Sequence, residues 1–449
     1  MPTFANLPGT TVEITDMGLR ISRPPSGPKI ILLGQTTSTN SLATAYVPYK
    51  VSAGTITTAY KTFKNADNSV SPLCEALMEC HIAGGRNIEL MNIIPSASGA
   101  LIGDDDIYGY LDAAYAALFN YNPDIIVPVG AHLDDALTDS GGFERNFGYQ
   151  LADFCYQATK NNNTCIGVMG VDGPIVSASG TPTLAEVETW VVALELYTNC
   201  SVYDGTTDDN ANGEPDNFAF VATSDGHMPA NYAGGDVEDA KGNKVDIGAY
   251  ISVVAGEIRA VNEASNDLYP TLGYYNSDGA AAYAGLIAAL PSMSAPTNKS
   301  INGVTLQNNI SLSQANRLAG KRFMPIIEKP KGVVAASAMT GAYNISDYSR
   351  SDFVRLTTVR IVHDAVNYVR DACDQFVGEP NNAPQRNAMG AAIESALVSM
   401  KDVGALRRYD YNIYSTPSDQ VLGRATVELL LVPAFELQQV TVYISLSAE

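Results

Sequence analysis

Histidine and basic residues are scarce in this chain. It carries 27 Lys and Arg against 48 Asp and Glu, a formal net charge of −21. A surface so poor in cations is ill suited to wrapping nucleic acid, whose phosphates call for Lys and Arg clusters. Only four histidines occur: His81, His132, His227 and His363. The six cysteines (Cys74, Cys80, Cys155, Cys165, Cys200 and Cys373) form no CxxC pair and no metal-type spacing with histidine. GxSxG, HExxH, Walker and GxGxxG patterns are all missing. No stretch reaches the ~18 apolar residues of a membrane span; AAAYAGLIAAL, Ala280 to Leu290, reads as a buried core helix. The opening MPTFANLPGTTVEITD has no basic region followed by an apolar run, so a soluble chain made in the cytoplasm is expected, with its cysteines as free thiols.

What is present is ample material for a core. Of 449 residues, 46% are hydrophobic, enough for roughly two to four domains. The acidity is unevenly placed. Residues 1–313 hold 13 Lys and Arg against 34 Asp and Glu, residues 314–410 hold 13 against 10, and residues 411–449 hold 1 against 4. That break predicts an acidic part, 26–313, with an insertion around 200–245, and a nearly neutral part, 314–423, facing a different partner.

Patterning gives the fold class. TTVEIT, in the first ~25 residues, alternates Val12 and Ile14 with polar neighbours, as a half-buried strand does; RPPSGP then separates it from the apolar strand KIILL. From about residue 70 an α/β rhythm begins. SPLCEALMECHIAGG predicts a helix closed by Gly84 and Gly85 and is followed by the strand NIELMNII. A helix after Asp104 to Asp106, the strand DIIVPV, a helix near 143–160, CIGVMGV, a helix near 183–198 and NFAFVAT continue the alternation. Helices alternating with short apolar strands imply α/β architecture with a helix-covered, mainly parallel sheet. Two amphipathic helices follow, one with Val359, Val362, Val366, Val369, Cys373 and Phe376 on its apolar face, the other starting near Pro384 with Met389, Ile393, Leu397 and Met400. These predict a C-terminal α+β part. The last 26 residues read as two strands, RATVELLLV, expected to be covered on both faces, and the alternating VTVYISLS. Extended strand arms are thus expected at 1–25 and 424–449. A strand without a nearby partner must pair with something distant, and another chain would serve.

Candidate chemistry is thin. His132 stands after a strand in GAHLDD, the position where α/β folds often place ligands, and with Asp134 and Asp135 it would make half of a metal site in an α/β metal-dependent enzyme. A plain loop turn explains the same residues. DDNANGEPD sets Asp208, Asn210, Asn212 and Asp216 at ligand positions of a calcium loop, but Ala219 stands where a bidentate Glu is required. A polar hairpin explains that composition equally well.

Several segments, in order, resemble the contractile tail sheath family of phage-like injection machines. LCEALMECHIAGGRNIELMNII resembles the start of its α/β domain, and SAPTNKSINGV and LSQANRLAGKRFMPIIEKPKGVVAASAMT resemble its later stretch up to a conserved threonine, here Thr340. DFVRLTTVRIVHDAV and FVGEPNNAPQRNAMGAAIESALVSMKDVGAL resemble its two C-terminal helices, and VELLLVPAFELQQVTVYISLS its closing arm. Ala-Ser-Ala stands before Met339 where relatives often carry a Trp-Gly-Arg-like run.

The resemblance implies a structural subunit, with no enzyme activity and no cofactor. Such a subunit polymerises into a helical tube around an inner tail tube, contracts to drive that tube through the target envelope, and belongs to a virion tail assembled in the bacterial cytoplasm. Its implied partners are further copies of itself, the inner tube protein, and baseplate and tail terminator proteins, with no direct nucleic acid and no membrane insertion. On this reading Val12, Ile14, Val427, Leu429, Leu431, Val440, Val442, Ile444 and Leu446 join neighbouring copies, and Arg386, Lys401, Arg407 and Arg408 face the inner tube. A baseplate component is the alternative within the same class of machine.

Overall fold

Strands such as IILLG have no polar side chain to offer water, so both of their faces must be covered. The computed structural model describes residues 27–51, 55–94, 104–135, 137–138, 144–174, 182–195, 197–198, 202–203, 247–260, 275–342 and 352–437. In chain order the first half forms β1 (Ile30–Gly34), β2 (Tyr49–Val51), α1 (Ile56–Thr62), α2 (Pro72–Ala83), β3 (Ile88–Asn92), α3 (Asp104–Leu118) and β4 (Ile125–Pro128). The short strands β5 (Leu137–Thr138) and β6 (Glu144–Arg145) precede α4 (Phe147–Lys160), β7 (Ile166–Gly170) and α5 (Leu184–Leu194). The equally short β8 (Tyr197–Thr198) and β9 (Val202–Tyr203) come next, then β10 (Ile251–Ala255), β11 (Ile258–Ala260), β12 (Tyr275–Ser277), α6 (Ala280–Ala289) and β13 (Val304–Leu306). The chain continues through α7 (Leu312–Gly320), β14 (Met324–Lys329) and β15 (Gly332–Ala335). It closes with α8 (Leu356–Asp374), α9 (Ala383–Asp402), β16 (Leu406–Tyr414), α10 (Pro417–Val421) and β17 (Thr426–Pro433).

The main sheet has the order β15-β14-β10-β7-β4-β1-β3-β2. Neighbours from β14 to β3 run parallel, and only the two outermost strands, β15 and β2, are antiparallel. The α/β class with a largely parallel sheet is therefore as the alternation predicts. Strand periodicity divides the core. Ile31 and Leu33 join Leu111, Phe147 and Leu151 under α3 and α4. Ile30 and Leu32 join Leu73, Leu77, Tyr283 and Ile287 under α2 and α6. Helices α2 and α6 touch at a small residue: a Cβ on Gly285 would lie 2.3 Å from the Cys80 carbonyl oxygen, so only glycine fits there.

Two expectations need correction. The charge break at residue 313 is no break in the backbone, because β14 and β15 belong to the main sheet. Surface charge reports what faces solvent and says nothing about which strand pairs with which. β17, expected within a free arm, pairs antiparallel with β16 from Leu406↔Pro433 to Tyr414↔Thr426. It is covered on one face only, with Leu430 50% exposed. The TTVEIT, NFAFVAT and VTVYISLS segments lie outside the described residues.

A third core lies between α8, α9 and this hairpin, built on Ile361, Val362, Val366, Ile393, Leu397, Met400 and Leu431. The opposite face of α8 is polar, and it docks on the α/β body. Arg360 is 8% exposed. Its guanidinium donates to the carbonyls of Ile287 at 2.9 Å and Leu290 at 2.6 Å, and more weakly to those of Pro291 and Ser294. One turn on, the buried His363 ring stacks on Tyr250, and burial pushes its pKa down to about 3, so it is neutral. Asn367 bonds Thr164 at 3.0 Å, and Arg370 donates to the carbonyl and side-chain oxygens of Asn162. Thr340, 0% exposed, donates to the Phe353 carbonyl at 2.6 Å and fixes the chain's entry into α8.

Arg360→Leu is expected to lower the unfolding free energy by about 3 kcal/mol, since it leaves buried carbonyls without donors. Urea denaturation followed by circular dichroism measures this; a loss below about 0.5 kcal/mol would show that the carbonyls find water.

Candidate functional site

Strand β1 lies between β3 and β4, so the chain leaves it first to one side and then to the other. Loops diverge at such a switch point and leave a crevice beyond the carboxyl ends of the strands, where α/β folds tend to bind ligands. A cavity of about 280 Å³ lies at the carboxyl edge of the sheet, lined by Glu75, Glu79, His132, Asp172, Glu257 and Asp278 among others. The loop after β4 supplies His132, the loop after β7 Asp172, and the turn into α6 Asp278.

His132 is the hub of this arrangement. Its Nδ1 lies 3.0 Å from an Asp172 oxygen and 3.6 Å from one of Asp135, and its Nε2 lies 3.7 Å from Asp278. Asp134, the other expected partner, turns away and accepts from the Asp172 amide at 2.9 Å. Asp278 is steadied by the Ala280 amide at 2.9 Å and packs so closely on β7 that a Cβ at Gly170 would come within 2.3 Å of its carboxylate. Sequence reasoning found His132, Asp134 and Asp135. It could not find Asp172 and Asp278, because these meet His132 only through the order of the strands.

Electrostatics decide what the cluster does. Burial alone would lower the His132 pKa, but the hydrogen bond with Asp135 and the charges of Asp278, Asp172 and Asp135 outweigh it and push it up to about 10. Burial pushes Asp134 up to about 6 and Glu75 up to about 7. Donor atoms of His132, Asp135 and Asp172 lie within 4.8 Å of one another, a set that a divalent cation could take. Coordination needs a neutral imidazole, so the proton held there competes with any metal. At neutral pH the imidazolium itself balances the carboxylates.

The residues expected at an assembly surface fall in three groups. Val12, Ile14, Val440, Val442, Ile444 and Leu446 lie outside the described residues, as do Asp208, Asn210, Asn212 and Asp216 of the calcium-like loop. Val427, Leu429 and Leu431 point into the third core, so what β17 has left to offer another chain is its outer backbone edge and Leu430. Among the described residues the hairpin is a two-stranded sheet, with neither outer edge paired. Arg386 donates to the Asn381 side chain at 2.8 Å and so braces the turn before α9. Lys401, Arg407 and Arg408 are exposed where α9 passes into β16. The register shift between Leu406 and Arg408 is the reason two consecutive arginines both reach solvent. The strand β16 itself escaped the sequence reading, although Tyr409, Tyr411 and Ile413 alternating with Arg408, Asp410 and Asn412 carry its signal.

No family model matches the sequence, and no curated protein matches it. Solved structures do. A chain of the anti-feeding prophage (AFP) baseplate aligns over 99% of both chains with TM-score 0.59 and 12% identity. A chain of the PVC sheath complex of an extracellular contractile injection system, in its contracted state, aligns over 97% of both with TM-score 0.56 and 13% identity. The sheath tail protein of Desulfitobacterium hafniense aligns over 95% of this chain and 100% of its own, with TM-score 0.50 and 9% identity. The chain has the fold of the contractile tail sheath proteins.

The raised His132 pKa makes a testable demand. Its stabilisation is fully present below the ordinary value of 6.5 and is lost as pH rises through about 10. His132→Gln is expected to lower the melting temperature at pH 6 by roughly 1 °C per kcal/mol lost, the scale set by the unfolding entropy of so long a chain, with the deficit fading towards pH 10. A deficit equal at both pH values would mean that packing, not charge, is what the substitution removes.

Proposed function

We propose that this chain is the structural subunit of a contractile tail sheath: it polymerises into a helical tube around an inner tail tube and shortens to drive that tube through a target envelope. The observation that carries this reading is the full-length likeness to a chain of a sheath complex, which spans 97% of both proteins. Likeness over the whole length covers the α/β body and the C-terminal unit in one arrangement, and a shared α/β core alone would not produce it.

The physics of the C-terminal unit supports the same reading. A hairpin with free edges is a template for further strands. Residues 1–25, with Val12 and Ile14, and residues 438–449, with Val440, Val442, Ile444 and Leu446, are the segments we assign to strand exchange between copies. Contacts of this kind that do not close on themselves generate a helix of subunits. Lys401, Arg407 and Arg408 are assigned to acidic groups of the inner tube, through screened pairs that break readily as subunits move outward. The role is structural rather than catalytic, and contraction is the release of a kinetically held state. Among the described residues no helix is long and apolar enough to cross a membrane.

A baseplate component is the second reading, favoured by the likeness to a chain of the AFP baseplate. Negative-stain microscopy of the purified protein separates the two: long hollow cylinders are expected of a sheath, and monodisperse monomers at high concentration would count decisively against it. Deleting residues 1–20 is expected to abolish the cylinders and leave a folded monomer; ordered tubes from that truncation would end the strand-exchange argument. Replacing Lys401, Arg407 and Arg408 together by Glu is expected to leave self-assembly intact and to abolish assembly around an inner tube, as read by co-sedimentation.

A further inference from the structure

Beyond β17 the chain turns back over the first turn of α8. The Ala434 amide donates to the Ala405 carbonyl at 2.9 Å. The Phe435 ring lies 5.3 Å from the Arg355 guanidinium carbon, and the Glu436 carboxylate accepts from the Thr357 hydroxyl at 2.7 Å. Thr357 is the second residue of α8, whose N-cap, Arg355, makes no side-chain capping bond. A helix start of this kind carries partial positive charge, and Glu436 brings a carboxylate to it.

Thr357 is buried and Ala434 and Glu436 half-buried, but the rest of the segment faces solvent. Phe435 is 46% exposed and the next residue, Leu437, 81% exposed. A surface cation–π contact and a carboxylate at a helix start contribute about 0.5–1 kcal/mol each, small against the free energy that holds the third core. The turn to which they attach is firmly held. The Leu356 amide donates to Ala338 at 3.1 Å, Leu356 and Val359 lie in the body's core, and Arg360 follows at once. The segment therefore joins a weak contact to a rigid anchor.

We propose that Phe435 and Glu436 form a releasable clasp that sets the direction in which the residues after β17 leave the subunit. Closed, it holds the chain on the first turn of α8. Open, it frees the backbone from Ala434 onward, whose first three residues span at most about 10 Å at ~3.3 Å each. A lattice whose subunits separate while their connections persist needs slack, and weak contacts supply it without unfolding a core. The inference rests on the reading of the C-terminal residues as a connection between copies.

Hydrogen exchange on the full-length monomer tests it residue by residue. In the wild type, the Ala434 amide is expected to exchange through local opening, well before the amides in the middle of α8. Exchange only with global unfolding would overturn releasability. Glu436→Ala and Phe435→Ala are each expected to speed exchange at 434–437 by roughly two- to fivefold while leaving the melting temperature unchanged. Glu436→Gln, which keeps an acceptor for Thr357 and loses the charge, is expected to fall between. Unchanged exchange in both alanine variants would overturn the clasp. These measurements need no polymer, so failure of the wild type to form tubes sinks the sheath reading alone, and unchanged exchange beside well-formed tubes sinks the clasp alone.

Discussion

The carbonyl end of α6 has to be satisfied away from water, and the placement of the C-terminal unit follows from how this is done. Helix α6 is apolar on all sides, has no basic residue in its last turn, and ends at Leu290 without a side chain able to donate. Its last carbonyls need donors from elsewhere in the chain. Arg360 supplies them with a guanidinium that burial holds below its ordinary pKa, a cost that Asp364 and Tyr283 partly offset. Once Arg360 points inward the rotation of α8 is fixed. His363, Asn367 and Arg370 must then face the body, and Val362, Val366, Val369 and Cys373 must face away. The outward apolar stripe has to be covered in turn, and α9 with the β16–β17 hairpin covers it. One buried cation thus sets where the C-terminal unit stands.

That logic marks what the sequence makes legible. Element type follows from periodicity, so the parallel body, the helix closed at Gly84 and the pair α8 and α9 can all be read in advance. The role of a polar face cannot. Arg360, Asn367 and Arg370 look like an ordinary solvated side of an amphipathic helix, because composition does not say whether the neighbour is water or another element. The same blindness moved the end of the body to residue 313 and left β17 as an arm. β16 went unread for another reason: its alternation is of tyrosines with charged residues, and the bulge at Arg407 starts it out of phase.

The His132 cluster shows the converse. The histidine and two aspartates after β4 are close in sequence and suggest a metal site, yet only His132 and Asp135 act together. The contacts that set the charge come from Asp172 and Asp278, carried in by strand order. An imidazole among so many carboxylates retains its proton, and the retained proton makes it a cross-link between three loops and a poor metal ligand. With Glu75 nearby raised by burial, the cleft is acidic and partly protonated at neutral pH. Its histidine ties the loops after β4 and β7 to the turn into α6, at the carboxyl edge of the sheet.

An open hairpin edge is a hazard, since any extended chain can add to it. The outward face of β16–β17 limits that hazard. Its cross-strand pairs are Arg408 with Val432, Asp410 with Leu430, and Asn412 with Glu428, so each outward pair sets a charged or polar side chain beside its neighbour. An apolar strand laid along either edge would desolvate those charges and gain little in exchange. A strand with matching polar groups would meet no such penalty, and its main-chain bonds would add along the whole edge. The edge is thus open by backbone geometry and selective by side-chain chemistry.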